Sequence, residues 1–203
     1  DNTKTNGHGS NVSGIIASSD AAHRGVAPGL DLVALKVFPD DPADAGTASM
    51  IEDALQWVEA NAAAYGIVGV NMSLGFNGAT YGNNATPQTF PELDLYDELD
   101  ALANLGVVTV GAAGNDFYQV DSVPGVSYPA ADPNSLAVGA VFDADIGSYH
   151  GWPDRAETTG PDRLAPFSQR HPDVMDILAP GVQITGANPS GGTVTMSGTS
   201  QAA

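Results

Sequence analysis

The sequence predicts an α/β fold with three layers, in which helices cover both faces of a mostly parallel, twisted sheet. Short apolar strand patterns alternate with longer helical patterns through the first two thirds of the chain. The helices between successive strands are long enough for right-handed crossovers, which join parallel strands. The chain has 203 residues, of which 42% are hydrophobic, so one domain with a single core is expected over residues 1–203.

Two helices and two strands are predicted in the first third of the chain. A helix begins near His8, and residues 32–38 form an apolar run typical of a buried strand. Residues 47–64 read as a helix capped by Thr47, and residues 67–72 as the next strand. The apolar stripe of this second helix consists of Met50, Ile51, Ala54, Leu55 and Val58.

A long loop precedes the third helix. Residues 75–88 are rich in Asn and Gly and are predicted to lie in this loop. A helix then begins at Pro91 and is closed by Gly106, because proline suits a first helical turn and glycine a helix end. Residues 107–112 follow as a third strand. The side chains expected to face the core are Leu95, Leu99 and Leu102.

The last third of the chain has weaker patterns. Residues 136–142 form a fourth apolar strand, whereas residues 143–170 are predicted to be surface loop. Residues 176–178, 183–187 and 193–196 are short strand-like pieces between Pro and Gly turns. The small residues at the end of the chain are typical of the start of another helix.

Composition excludes several functional classes. The formal net charge is −18, and no Lys or Arg occurs between Val37 and Asp154. Nucleic acids and anionic membrane surfaces are therefore not expected as partners, since both are bound through cations. The chain has no cysteine, which excludes disulfides and a cysteine nucleophile. No apolar run reaches the ~18 residues of a membrane helix, so no membrane insertion is expected, while the oligomeric state stays open.

Two polar segments directly follow predicted strands. Residues 73–75 follow one strand, and residues 112–115 lie at the end of the next. Because ligands bind at the carboxyl ends of parallel strands, both segments are expected at the same edge of the sheet.

Three residues could together perform acyl transfer. His8 lies between two glycines and can exchange protons near neutral pH. Ser200 lies among small residues at a helix start, where its own N–H is free. Asn115 follows a glycine, and its amide can donate to a developing oxyanion. Each is an ordinary feature by itself (a helix-start histidine, a serine N-cap, a turn asparagine), and only the combination is specific.

Short segments spread over most of the chain resemble the motifs of one family and occur in that family's order. They are His8–Gly14, Gly25–Pro28, Leu35–Val37, Asn71–Gly75, Ala112–Asn115, Tyr128–Ala130, Ala137–Ala140, Leu178–Gly181 and Ser197–Ser200. The family that they resemble is that of the subtilisin-like serine proteases. The resemblance implies a subtilisin-like fold truncated at both ends, and a secreted serine endopeptidase with polypeptide substrates.

The resemblance implies a role for each site residue. His8 would be the general base, Ser200 the nucleophile, and the Asn115 side chain with the Ser200 N–H the oxyanion donors. The peptide bond before Pro129 is expected to be cis. One wall of the substrate cleft would be Ser73, Leu74 and Gly75, and the other Ala112, Ala113 and Gly114.

The sequence departs from the family pattern in several places. The triad aspartate is expected upstream of residue 1, so we expect residues 1–203 to be a partial catalytic domain with little or no activity alone. The helix bearing Ser200 also looks cut short, which should leave apolar surface exposed. Asn11 replaces a second histidine common in the motif, and Gln201 replaces a common methionine.

Two alternatives to a protease are open at this point. One is a catalytically silent homologue whose cleft binds peptides without cutting them. The other, a doubly wound nucleotide-binding protein, is disfavoured because no Gly-rich phosphate loop follows a strand.

No cofactor is expected for the chemistry, but a structural calcium ion is considered. Acidic loop residues could hold it through carboxylate oxygens, although a solvated acidic loop is the favoured reading. The residues concerned are Asp40, Asp41, Asp44, Asp143 and Asp145.

Overall fold

The computed structural model describes residues 7–39, 48–76, 95–151 and 155–203. Some predicted features lie outside these residues: the Thr47 cap, the helix start at Pro91 and most of the 75–88 loop. The same holds for three of the acidic residues considered for calcium, which are Asp40, Asp41 and Asp44.

Helices and strands alternate along the described chain. The helices are α1 (His8–Ala17), α2 (Ala48–Tyr65), α3 (Tyr96–Asn104) and α4 (Thr199–Ala202). The strands are β1 (Gly69–Met72), β2 (Val108–Ala112), β3 (Ser135–Val141), β4 (Ser148–Gly151), β5 (Arg155–Thr158), β6 (Ile177–Pro180), β7 (Ile184–Ala187) and β8 (Thr193–Met196). Within the described ranges, no helix has both the length and the apolar character needed to cross a membrane.

The centre of the fold is a four-stranded sheet in the order β1-β2-β3-β6. All three pairings are parallel, as the alternation of strand and helix patterns predicts. Met72 of β1 lies opposite Gly111 of β2, so these two strands end at the same edge. The sequence predicts β6 only as a short strand in the tail, whereas it extends the central sheet beside β3.

Helices α2 and α3 pack on one face of the sheet and form the main core. Leu95, Leu99 and Leu102 are fully buried, as their helical spacing predicts. On α2 the predicted stripe is right for Ile51, Leu55 and Val58 but wrong for Met50, which is exposed. At 3.6 residues per turn, one side of the helix carries the buried residues Ile51, Leu55, Val58 and Ala62. Met50 lies about 100° around the helix from Ile51 and therefore faces away from the core.

On the opposite face, the described helix that packs on the sheet is α4, at the carboxyl end of the strands. Ala202 of that helix packs with the buried cluster that contains Ala140 of β3. Nearer the amino ends of the strands, Val108, Leu136 and Ile177 lie on this same face and are 50%, 36% and 47% exposed. Among the described residues, this face therefore retains exposed apolar surface.

Helix α1 lies against the β7–β8 hairpin at very short range. A Cβ on Gly14 would lie 2.5 Å from the Ala187 backbone nitrogen, and a Cβ on Gly186 would lie 2.3 Å from the Asn11 carbonyl oxygen. Real Cβ atoms do not approach so closely, so both positions require glycine. This contact fixes the helix that begins at His8 against the part of the chain that leads to Ser200.

The strand predicted over residues 32–38 is not present. This segment has no regular strand pairing among the described residues, and Leu32, Val33 and Phe38 are exposed. An apolar run does not define a strand unless a neighbouring strand provides hydrogen-bond partners for its backbone.

The loop predicted over residues 143–170 contains a hairpin. Strands β4 and β5 pair antiparallel, with Tyr149 opposite Glu157. Tyr149 is buried against Phe142 in an edge-to-face contact, with ring centroids 5.4 Å apart. Tyr149 therefore anchors the hairpin to the core, in a segment whose overall pattern is too irregular to predict strands.

Replacing Leu99 with alanine should lower the free energy of unfolding by about 2–5 kcal/mol, because a fully buried side chain is deleted from the core. Leu105 is the matched control, since it directly follows the same helix and is exposed. Leu105→Ala should change the stability little. If urea-induced unfolding shows the same loss of stability in both variants, the burial of Leu99 in the core is contradicted.

Candidate active site

The two polar segments that follow β1 and β2 meet the start of α4 at the carboxyl edge of the sheet, as the parallel pairing predicts. The Ser73 hydroxyl donates to the Ser200 carbonyl oxygen at 2.8 Å and accepts from the Asn71 amide at 3.1 Å. The Ser200 Oγ lies 3.4 Å from the Ser73 carbonyl oxygen. The segment after β1 therefore borders the predicted nucleophile directly.

Thr199 joins the predicted oxyanion segment to the segment that carries Ser200. Its backbone N–H donates to Asn115 Oδ1 at 2.9 Å, and its hydroxyl donates to the same oxygen at 3.1 Å. The Thr199 hydroxyl also accepts from the Gly114 N–H at 3.0 Å. Because Oδ1 is held by two donors, the orientation of the Asn115 amide is fixed and its NH₂ group is presented on the other side.

His8 begins the helix that approaches α4 on the same side of the fold. Three residues further on, Asn11 accepts a hydrogen bond from Gln201, the residue directly after Ser200, at 3.1 Å. In the described part of the chain, no hydrogen bond joins the His8 ring to Ser200 Oγ. Catalytic hydrogen bonds are often long in unliganded proteins and tighten when substrate binds.

Burial lowers the pKa of His8 below its ordinary value. The positive form of the ring is poorly solvated in this environment, so the neutral form is favoured. A neutral imidazole at neutral pH is the form that can accept a proton.

The two predicted cleft walls are joined by Ser127 and its neighbour. The Ser127 N–H donates to the Ala113 carbonyl at 2.7 Å, and the Tyr128 carbonyl accepts from the Phe76 N–H at 3.2 Å. The peptide bond between Tyr128 and Pro129 is cis, which confirms the prediction. Ser127 therefore lies between the wall that contains Gly75 and the wall that contains Ala113.

Side chains fill the space around the glycines of both walls. A Cβ on Gly75 would lie 3.1 Å from the Cβ of Ser127, and a Cβ on Gly114 would lie 2.4 Å from its Oγ and 1.9 Å from Gln169 Oε1. Gly114 also has a positive φ of 105°. Ser127 is buried and donates to the buried Gln169 at 3.0 Å. Ser127 therefore packs against the glycines of both walls, and Gln169 packs against Gly114.

The sequence patterns do not predict Thr199, Ser127 or Gln169 as site residues. Thr199 lies beside the predicted serine, and Ser127 directly precedes the Tyr128–Pro129 motif, so both could have been suggested by position. Gln169 lies in a segment predicted to be surface loop and carries no signal in the sequence. The other three histidines are outside this arrangement: His23 and His150 are exposed as predicted, while His171 is partly buried.

No candidate metal site is formed by the residues that the structure describes. Among them, no three His, Asp or Glu side chains are grouped closely enough to hold an ion. The exposed Asp145 carboxylate accepts from the Gly147 N–H and the Thr159 hydroxyl, which lowers its pKa.

Known proteins are similar to this chain over nearly its whole length. The sequence profile of the subtilase family, peptidase S8, matches residues 1–203. Subtilisin DY of Bacillus licheniformis is 32% identical over 99% of this chain and 61% of its own length. Subtilisin-like protease 6 of Arthroderma gypseum is 32% identical over 97% of this chain and 40% of its own length.

Solved structures show the same fold. Sphericase matches 97% of this chain and 59% of its own, with a TM-score of 0.70 and 28% identity. The S41 psychrophilic protease matches 96% of this chain and 59% of its own, with a TM-score of 0.69 and 29% identity. The chain therefore spans less than two thirds of the relatives that it matches.

Replacing Thr199 with valine keeps the side-chain shape but removes the hydroxyl. The Gly114 N–H then loses its acceptor in a closely packed site, and the free energy of unfolding should fall by roughly 1–3 kcal/mol in denaturant titration. Thr199→Ser keeps the hydroxyl and should retain most of the stability. Thr185→Val, at an exposed hydroxyl pair, controls for the loss of any threonine hydroxyl.

His8 should titrate below its ordinary pKa when its ring is followed by NMR in the 203-residue chain. The unfolded chain then binds the proton more tightly than the folded chain, so protonation favours unfolding. The stability contribution is complete above the ordinary histidine pKa of about 6.5 and is lost as the pH falls from there toward the lower folded value. A folded pKa at or above the ordinary value would show that burial does not dominate at this ring.

Proposed function

The chain belongs to the subtilase family, and we propose on that premise that the protein of which it forms part is a serine endopeptidase. The observation that supports this most is the contact of Asn115 with Thr199, which brings an amide donor beside the segment that carries Ser200. Because the chain spans 61% of Subtilisin DY, we propose residues 1–203 as part of the catalytic domain and the activity as that of the whole protein.

In the proposed reaction, His8 accepts the proton of Ser200 Oγ as this oxygen attacks the carbonyl carbon of a peptide bond. The negative charge that develops on the carbonyl oxygen is stabilised by the Asn115 NH₂ group and the Ser200 N–H. The first turn of α4 leaves that N–H without a partner inside the helix. His8 then gives its proton to the leaving amine, and water hydrolyses the resulting ester on Ser200.

Polypeptides are the proposed substrates. Ser73–Gly75 leaves β1 beside the end of β2, where its backbone is proposed to pair with an extended peptide. Ala113 and Gly114 would only line the pocket, because their backbone groups already bond to Ser127 and Thr199. Pairing through the backbone depends little on side chains, so broad sequence specificity is expected away from the pocket between the walls.

We propose that the aspartate that orients His8 is supplied upstream of residue 1, as the family's motif order implies. No carboxylate in the described ranges bonds to the His8 ring. Without such a partner the ring's tautomer is not fixed, and the rate falls by orders of magnitude. The 203-residue chain alone is therefore proposed to be nearly inactive, and the whole protein to be a secreted enzyme.

Two lengths of the protein, the 203-residue chain and a full-length form, provide the test of this function. The full-length form should degrade casein and be labelled by a fluorophosphonate at Ser200, while the short chain should do neither at a comparable rate. Ser200→Ala in the full-length form is the control that should abolish both signals.

Three other outcomes would contradict parts of the proposed function. An adduct at another residue would contradict the assignment of Ser200. A folded, full-length protein that binds peptides but neither cleaves nor labels would indicate a silent peptide-binding homologue. A fully active short chain would refute the need for an upstream aspartate.

A further inference from the structure

The two residues that depart from the family motifs, Asn11 and Gln201, contact each other. Asn11 lies three residues after His8, and Gln201 directly follows Ser200. The Gln201 Nε2 donates to Asn11 Oδ1 at 3.1 Å, and the two side chains are 5% and 0% exposed, respectively. Residues 190 positions apart in the sequence thus form one buried contact between α1 and α4.

Both the oxygen and the nitrogen of the Asn11 side-chain amide form hydrogen bonds. While Oδ1 accepts from Gln201, the Asn11 Nδ2 donates to the Val194 carbonyl of β8 at 2.9 Å. Asn11 therefore joins three elements: its own helix, the hairpin and the helix of the nucleophile. Buried amides are costly unless they are paired, so this network permits one relative position of the elements.

Gln201 is likewise confined by its surroundings. Its Oε1 lies 2.9 Å from where a Cβ on Gly198 would be, and the Asn115 Nδ2 lies 3.3 Å from the same point. Gly198 thus lies between Gln201 and the proposed oxyanion donor. A shift of Gln201 would be transmitted both to Ser200 beside it and to the Gly198 backbone.

Resting on the proposed function, we propose that Asn11 and Gln201 act together as positioning residues that hold His8 at the correct distance and angle from Ser200. Neither is a catalytic residue in this proposal. A hydrogen-bonded pair has a directional requirement that an apolar pair lacks, so it fixes the angle between the helices as well as their distance. Proton transfer between His8 and Ser200 depends on both quantities.

A double-mutant cycle in the full-length protein tests the proposal. The variants are Asn11→His, Gln201→Met and their combination, which introduces the residues common in the family motifs. Gln201→Met leaves Asn11 Oδ1 buried without its donor, and Asn11→His places a wider ring with a different donor and acceptor geometry opposite Gln201. In each single variant kcat should therefore fall roughly tenfold, with KM within about twofold of wild type. In the double variant the imidazole can donate to the Val194 carbonyl and the thioether needs no partner, so kcat should return to within about threefold of wild type.

The fluorophosphonate labelling rate at Ser200 should change in parallel with kcat, because it reports the nucleophile without peptide binding. Gln56→Met is the matched control, because it also removes a side-chain hydrogen bond between two helices: the Gln56 amide donates to the Glu98 carboxylate at 2.9 Å between α2 and α3. This variant should lower the melting temperature without lowering kcat or the labelling rate.

Three results would overturn the proposal. Single variants that melt earlier but keep wild-type kcat and labelling would leave the pair with a purely structural role. Losses that multiply in the double variant would show that the two residues act independently. If Gln56→Met lowers kcat as much as the single variants do, the effect is general destabilisation. A wild-type protein that is not labelled at Ser200 would instead refute the proposed function, and this inference with it.

Discussion

The parallel register of β1 and β2 is the constraint on which the rest of the site depends. Because Met72 lies opposite Gly111, the chain leaves both strands at the same height and on the same edge. A shift of one residue would turn every side chain of one strand to the other face and separate the two cleft walls. The buried leucines of α3 oppose such a shift, since they pack against Met72 in one cluster. The geometry of the edge is thus set by the core beneath it.

Hydroxyl and amide side chains then join the parts of the chain that meet at this edge. Thr199 links α4 to the turn after β2, Ser73 links α4 to the turn after β1, and Asn11 links α4 to α1. Each contact is directional, so small side chains fix positions that apolar packing alone would leave free to slide. This helps to explain how a helix of only four described residues can be held in one orientation.

Much of the fold could be predicted from the sequence because the decisive signals are local. The apolar spacing of α2 and α3, the strand patterns of β1 to β3 and the motif residues need only neighbouring positions to be recognised. The failures involve residues distant in sequence. Residues 32–38 have a strand's composition, but no strand in the described ranges pairs with them. Strand β4 depends on the burial of Tyr149 against Phe142. Similarly, the pairing of Asn11 with Gln201 could not be read from two substitutions that each looked minor.

The apolar residues exposed on one face of the sheet, within the described ranges, have a consequence for how the 203-residue chain behaves in solution. Val108, Leu136 and Ile177 form an apolar strip that two copies of the chain could bring together. The formal net charge of −18 opposes that approach. A pH near the pI of about 4.1 removes this charge and concentrated salt screens it, so either condition should favour self-association. Electrostatic repulsion, rather than the quality of its packing, then sets the conditions under which the chain remains dispersed.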